Sequence, residues 1–264
     1  MIKISKQQLQ PTFKTKVIDE QNQQRDVNVA GENPLIIKVD GQEIVTLMTI
    51  GSHPEALVLG FLRNQRFISS IDDLNSIEVD WANETATVIT KNGIARLKQK
   101  TQNRIITTGC GQGTVFSCSM DAIYQAKLAK NPISSQIIFQ LLANLNQHNR
   151  IYQSAGAVHT CALCRQEQVL IAVEDVGRHN AADIISGLMW LNNIKNSNDL
   201  LFYTTGRVTS EIVMKVAQIN VSVLLSRSGV TQMGLELAQD IGMMIIARAK
   251  GKHFLVFTEA KRFK

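Results

Sequence analysis

Three short turns carry most of the chemistry legible in this chain. They are Asp175-Val-Gly-Arg-His-Asn180, Thr204-Thr-Gly-Arg207 and Ser226-Arg227-Ser228. Each follows an apolar run, and each sets an arginine beside a hydroxyl, an amide or an imidazole. An arginine grips a phosphate through two parallel N–H bonds, and the backbone amides of a helix start add further donors. Arg178, His179, Asn180, Thr205, Gly206, Arg207, Ser226 and Arg227 are therefore candidate ligands of an anion. Strand ends in an open α/β sheet face a common crevice, which predicts that the three turns converge. A purine or pterin ring would also accept donors there. None of the turns is a Walker A loop or a GxGxxG fingerprint.

Cys110 lies in the run Gly109-Cys-Gly-Gln-Gly113, without the apolar neighbours of a structural cysteine. Small residues around a thiol leave it open to attack and leave the backbone free to move. The residue reads as a nucleophile or sulfur carrier, weighed against a loop cysteine with no role. Cys118 reads as ordinary packing. Cys161-Ala-Leu-Cys164 has the spacing of a metal knuckle or a redox dithiol, but no second pair accompanies it. Two small buried side chains on an inner strand is the favoured reading. His159 either faces the crevice or is a satisfied histidine beside a tight turn.

These residues need elements to hold them. Residues 1–33 are polar and glutamine-rich and read as a leader with one strand at most. Asp40-Gly41 between two apolar runs predicts a hairpin with a type I′ turn. Pro54 opens a helix, and alternation over residues 76–97 predicts further antiparallel strands. From Ile151 onward apolar strands alternate with helices, the pattern of an α/β sheet. The expected fold is α/β with a mixed sheet and a smaller N-terminal β-rich lobe. The expected division is a lobe at 1–105, a cysteine loop and connecting helix at 106–133, and an α/β domain at 134–264.

A chain of 264 residues with 44% apolar residues is long enough to bury a core. Its net charge of +6 favours an anionic partner. The basic residues are scattered and aromatics are only 5%, so nucleic acid is not an expected partner. No apolar run is long enough to span a bilayer, and the start lacks the apolar stretch of a signal peptide. The expectation is a cytoplasmic protein with reduced thiols.

The chain resembles the FdhD family, the formate dehydrogenase accessory sulfurtransferases. The resemblance rests on AGAVHTCAL, EDVGRHNAADIISG, TTGRVTSEIVMKVAQ, VSVLLSRSGVTQMGLELAQDIGMMIIARAKGKHFLVFT and PLIIKVDGQEIVTLMTIGSHPEALVLGFL. It implies a cytidine-deaminase-like three-layer core. The zinc deaminase signature is absent from the sequence, so the likeness brings neither zinc nor any other resident metal. It implies sulfur received from a cysteine desulfurase and carried as a persulfide on Cys110. The acceptor is the molybdenum bis(guanine dinucleotide) cofactor, bound as substrate before its insertion into formate dehydrogenase. It further implies a homodimer, and a cofactor site that includes the basic turn Ala249, Lys250, Gly251, Lys252, His253 and Phe254. Many relatives carry a second loop cysteine where this chain has Gly113, a departure that argues against a loop disulfide and leaves a one-cysteine relay. Two rival readings are a chaperone that only binds and delivers the cofactor, and a deaminase-like hydrolase acting on a nucleotide.

Overall fold

A computed structural model describes residues 2–93, 104–107, 113–116, 128–195 and 197–264, with the backbone alone at 104–107 and 113–116. The N-terminal part runs β1 (Lys3–Ile4), β2 (Thr12–Ile18), β3 (Gln24–Ala30), β4 (Asn33–Val39), β5 (Gln42–Thr49), α1 (Pro54–Asn64), β6 (Leu74–Asp80) and β7 (Thr85–Thr90). Next come β8 (Arg104–Thr107) and β9 (Gly113–Phe116), then α2 (Ser135–Leu145) and α3 (Arg150–Ala155). The C-terminal part runs β10 (His159–Arg165), β11 (Gln168–Asp175), α4 (Arg178–Leu191), β12 (Leu200–Thr204), α5 (Ser210–Gln218), β13 (Val223–Ser226), α6 (Gln232–Asp240), β14 (Met244–Lys250) and β15 (His253–Val256).

The first sheet has the order β1-β6-β7-β4-β5, and α1 packs on it. Asp40 and Gly41, both at positive φ, make the turn from β4 to β5, as the Asp-Gly pair predicts. The second sheet has the order β11-β10-β12-β13-β14-β15. Strands β12, β13 and β14 are parallel, and α5 and α6 make the crossovers between them. Strand residues alternate between two apolar layers, as a pleat requires. Cys161, Leu163, Phe202, Leu224 and Ile245 belong to one layer, together with α4, α5 and α6. Ala162, Cys164, Tyr203, Leu225 and Ile246 belong to the other, with α2. The core is thus three layers, helices on either side of a mixed sheet. The first layer also holds Leu35, Ile37 and Val88 of the N-terminal sheet and Leu57 of α1, so one apolar core runs through both sheets.

Residues 12–30 depart from the reading of a leader with one strand. They form a two-stranded ribbon in which Phe13 pairs with Val29 and Thr15 with Val27. Its alternation is hard to see because even its apolar residues are partly exposed, Phe13 at 49% and Ile18 at 73%. Strand β3 lies against α3 at its base.

Candidate functional site

The three arginine turns do meet. Strands β11, β12 and β13 run in one direction, so Asp175, Thr204 and Ser226 end on one edge of the sheet. Strand β10 runs the other way and brings His159 to that edge, paired with Asp175. Strand β14 ends there too, which adds the turn between Lys250 and His253. Two hollows open along this edge. One, of about 440 Å³, is lined by Tyr152, Val158, His159, Thr205, Arg227 and Ser228, among others. The second, of about 480 Å³, is lined by Phe139, Asn146, Tyr203, Arg227, Lys250 and Lys252, among others. Arg227 belongs to both, and its guanidinium lies 5.9 Å from the Tyr152 ring.

The side chains of the turns divide into those that build the edge and those that face it. Asp175 is buried and accepts from the Thr49 hydroxyl at 2.5 Å, the Ile50 amide at 3.2 Å, the Gly177 amide at 3.0 Å and the Asn180 amide at 2.9 Å. Burial pushes the Asp175 carboxyl upward, against these donors. Asn180 also donates to the Met48 carbonyl at 2.6 Å, so its amide ties the turn to β5. Neither Asn180 nor Asp183 caps α4, whose N-cap is Gly177 with no side-chain bond. Ser226 is fully buried; its hydroxyl donates to the Gly206 carbonyl at 2.7 Å and accepts from the Ser228 amide at 3.0 Å. Gly206 is required by its neighbour, since a Cβ there would lie 2.8 Å from Arg178 Cδ. The Thr205 hydroxyl accepts from the Thr160 amide at 3.0 Å.

Arg178 is nearly buried, with Nε sealed and unpartnered. Arg207 is exposed. In the basic turn, Lys250, Gly251, Lys252 and His253 are exposed, whereas Ala249 is buried and Phe254 stacks at 5.4 Å on Phe139. Burial, with the cations of Arg178 and Arg207, holds His159 below the usual histidine range.

Beneath the edge lies a polar group of which the motif reading takes in only His179 as a candidate ligand. His179 and Asp183 on α4 face Glu211 and Lys215 on α5. Both pairs have i,i+4 spacing, which places each pair on one helix face. That spacing was the available signal, but it reads equally well as two solvated surface pairs. Burial pushes the Asp183 and Glu211 carboxyls up and His179 well down, the latter assisted by the Lys215 and Arg178 cations.

Cys161 and Cys164 are both buried and belong to opposite layers. The CxxC spacing here makes neither a dithiol nor a metal knuckle. Burial drives both thiols up to about 12. Cys110 and Cys118 lie outside the described residues. The strands on either side of Cys110, β8 and β9, pair antiparallel with Thr107 opposite Gly113.

The sequence model of the FdhD/NarQ family matches residues 30–264. The sulfur carrier protein FdhD of Bacillus pumilus is 30% identical over 236 residues, 89% of either chain. That of Bacillus licheniformis is 30% identical over 247 residues, 91% of this chain and 92% of its own. The crystal structure of a formate dehydrogenase accessory protein from Desulfotalea psychrophila superposes with a TM-score of 0.74 at 25% identity. The superposition covers 96% of this chain and 98% of that one.

Proposed function

Because the chain belongs to the FdhD/NarQ family, we propose that it is a sulfur carrier for the maturation of formate dehydrogenase. Its curated relatives bear that name, and its structural neighbour is a formate dehydrogenase accessory protein. The finer reading is that Cys110 takes sulfur from a cysteine desulfurase. The Cys110 thiolate attacks the outer sulfur of the donor persulfide. A new S–S bond forms, the donor's S–S bond breaks, and its electron pair leaves on the donor thiolate. The sulfur then goes to a molybdenum bis(guanine dinucleotide) cofactor bound as substrate on the sheet edge. A homodimer in the cytoplasm, built on a core related to cytidine deaminases, completes the reading.

The observation that carries it is the pair of hollows sharing Arg227. A ligand with two dinucleotide arms needs two adjoining clefts and cations for its pyrophosphates. Arg227 stands between the clefts, and Lys250 and Lys252 line the second. Two wall residues of the first hollow are held by hydrogen bonds, Thr205 accepting from the Thr160 amide and the Ser228 amide donating to Ser226. The test is mass spectrometry of the purified chain after incubation with a cysteine desulfurase and cysteine. Cys110 should gain one sulfur, about 32 Da, and Cys110→Ser should gain none while still binding guanosine diphosphate. A wild-type chain that never gains sulfur overturns the carrier role. A second reading, a chaperone that shelters and delivers the cofactor without carrying sulfur, is favoured by Gly113 standing where many relatives have a cysteine. Nucleotide binding without sulfur uptake is its signature.

A further inference from the structure

Glu174 and Asp175 are neighbours at the end of β11, and the pleat turns their side chains to opposite faces. Asp175 reaches Thr49 and Ile50 on one side. Glu174, only 6% exposed, reaches α3 on the other. Its two oxygens accept from the Ile151 and Tyr152 amides, each at 2.8 Å. These are the second and third residues of α3, whose amides find no partner within the helix. An N-cap side chain ordinarily serves them. Here the N-cap is Asn149, which makes no such bond, and its Oδ1 is sealed without a partner. The cap of α3 comes instead from β11, 22 and 23 residues further along the chain.

A helix of six residues is too short to hold itself in water. Yet α3 and the stretch after it make one wall of the first hollow, through Tyr152, Gly156, Ala157 and Val158. The Tyr152 ring lies 5.9 Å from the Arg227 guanidinium, within reach of a cation–π contact. Arg227 is the cation that the two hollows share. One chain of contacts thus runs from Glu174 through α3 and Tyr152 to Arg227.

We propose that Glu174 is the positioning residue for Arg227, acting through α3 and the Tyr152 ring. The ring backs one face of the guanidinium and leaves its N–H edge for an anion in either hollow. A carboxylate suits this task because it accepts from two adjacent amides at once. A glutamine offers one oxygen and sets an NH₂ group against the other amide, donor against donor. The ligand, a guanine nucleotide arm, rests on the cofactor-binding reading; the anchoring of α3 does not.

Two measurements on the full-length chain decide the proposal. The first needs no ligand. It is the rate at which phenylglyoxal modifies Arg227, read by mass spectrometry of its peptide. Tyr152→Leu, at a side chain 40% exposed, should speed modification about 2- to 5-fold, the worth of one exposed cation–π contact. Glu174→Gln should speed it by the same factor, and the double variant no further. An unchanged rate in either single variant, or factors that multiply, overturns the proposal. So does a Glu174→Gln chain that does not fold, since the carboxylate then supports the whole fold rather than one wall. The second is calorimetric titration with guanosine diphosphate. Each single variant should bind about 5-fold more weakly, again with no further loss in the double variant. Wild-type affinity in Glu174→Gln overturns the positioning role. A wild-type chain that binds no guanosine diphosphate overturns the nucleotide reading of the hollows instead, and the modification rates still decide the Glu174 anchor.

Discussion

Arg227 is the side chain with the widest reach along the sheet edge, because it lines both hollows and lies over the Tyr152 ring. A charge-assisted bond to phosphate contributes about 1.5–3 kcal/mol. Arg227→Ala should therefore weaken guanosine diphosphate binding about 10-fold or more, measured by calorimetry, with the thermal midpoint nearly unchanged. An equal loss from Lys38→Ala, on β4 of the other sheet, would show that only net charge matters. The residue types of the three turns were legible in the sequence, and so was their convergence. Which of those residues face outward was not. Asn180 and Ser226 look like ligands in the sequence, yet their polar atoms bond to Met48, Asp175, Gly206 and Ser228. Met48 is far from Asn180 along the chain, so no local pattern announces that bond. Glu211 and Lys215 were illegible for the opposite reason, since an i,i+4 pair with opposite charges usually decorates a solvated helix.

At the scale of elements, α1 and α4 cross at two glycines. A Cβ on Gly60 would lie 1.7 Å from the Asp183 carbonyl oxygen, and one on Gly187 would lie 2.0 Å from that of Ala56. Backbone cannot yield as a side chain tip can, so the helices must separate. Gly60→Ala should destabilise the chain by about 3 kcal/mol, read as a lower denaturant midpoint. Because Asp183 belongs to this crossing, the same change should disturb its ion pair with Lys215. The alternation of strands and helices in the C-terminal part was readable from apolar spacing. Glycines inside helices were not informative by themselves, because a close crossing and a helix end give the same letter. The β2–β3 ribbon was missed because its apolar face has little to pack on, which blurs the alternation that marks a strand.

For the molecule as a whole, the N-terminal sheet is part of the site's foundation. It supplies Thr49 and, just past β5, Ile50 to Asp175 and the Met48 carbonyl to Asn180, while α1 supplies Asn64 to Asp183. The shared apolar layer joins the two sheets over the same ground. Pleating has one more effect, seen in Cys161 and Cys164, each at 0% exposure and each with its thiol held as the neutral form. Of the four cysteines these two should ignore an aromatic disulfide reagent until the chain is denatured. A native titration should accordingly reach no more than half the denatured value, and every fast count belongs to Cys110 or Cys118. The folded protein thus silences its own background, so in a Cys118→Ser chain maleimide dye that a reductant strips off marks sulfur on the glycine-flanked thiol, and dye that stays marks the bare thiol.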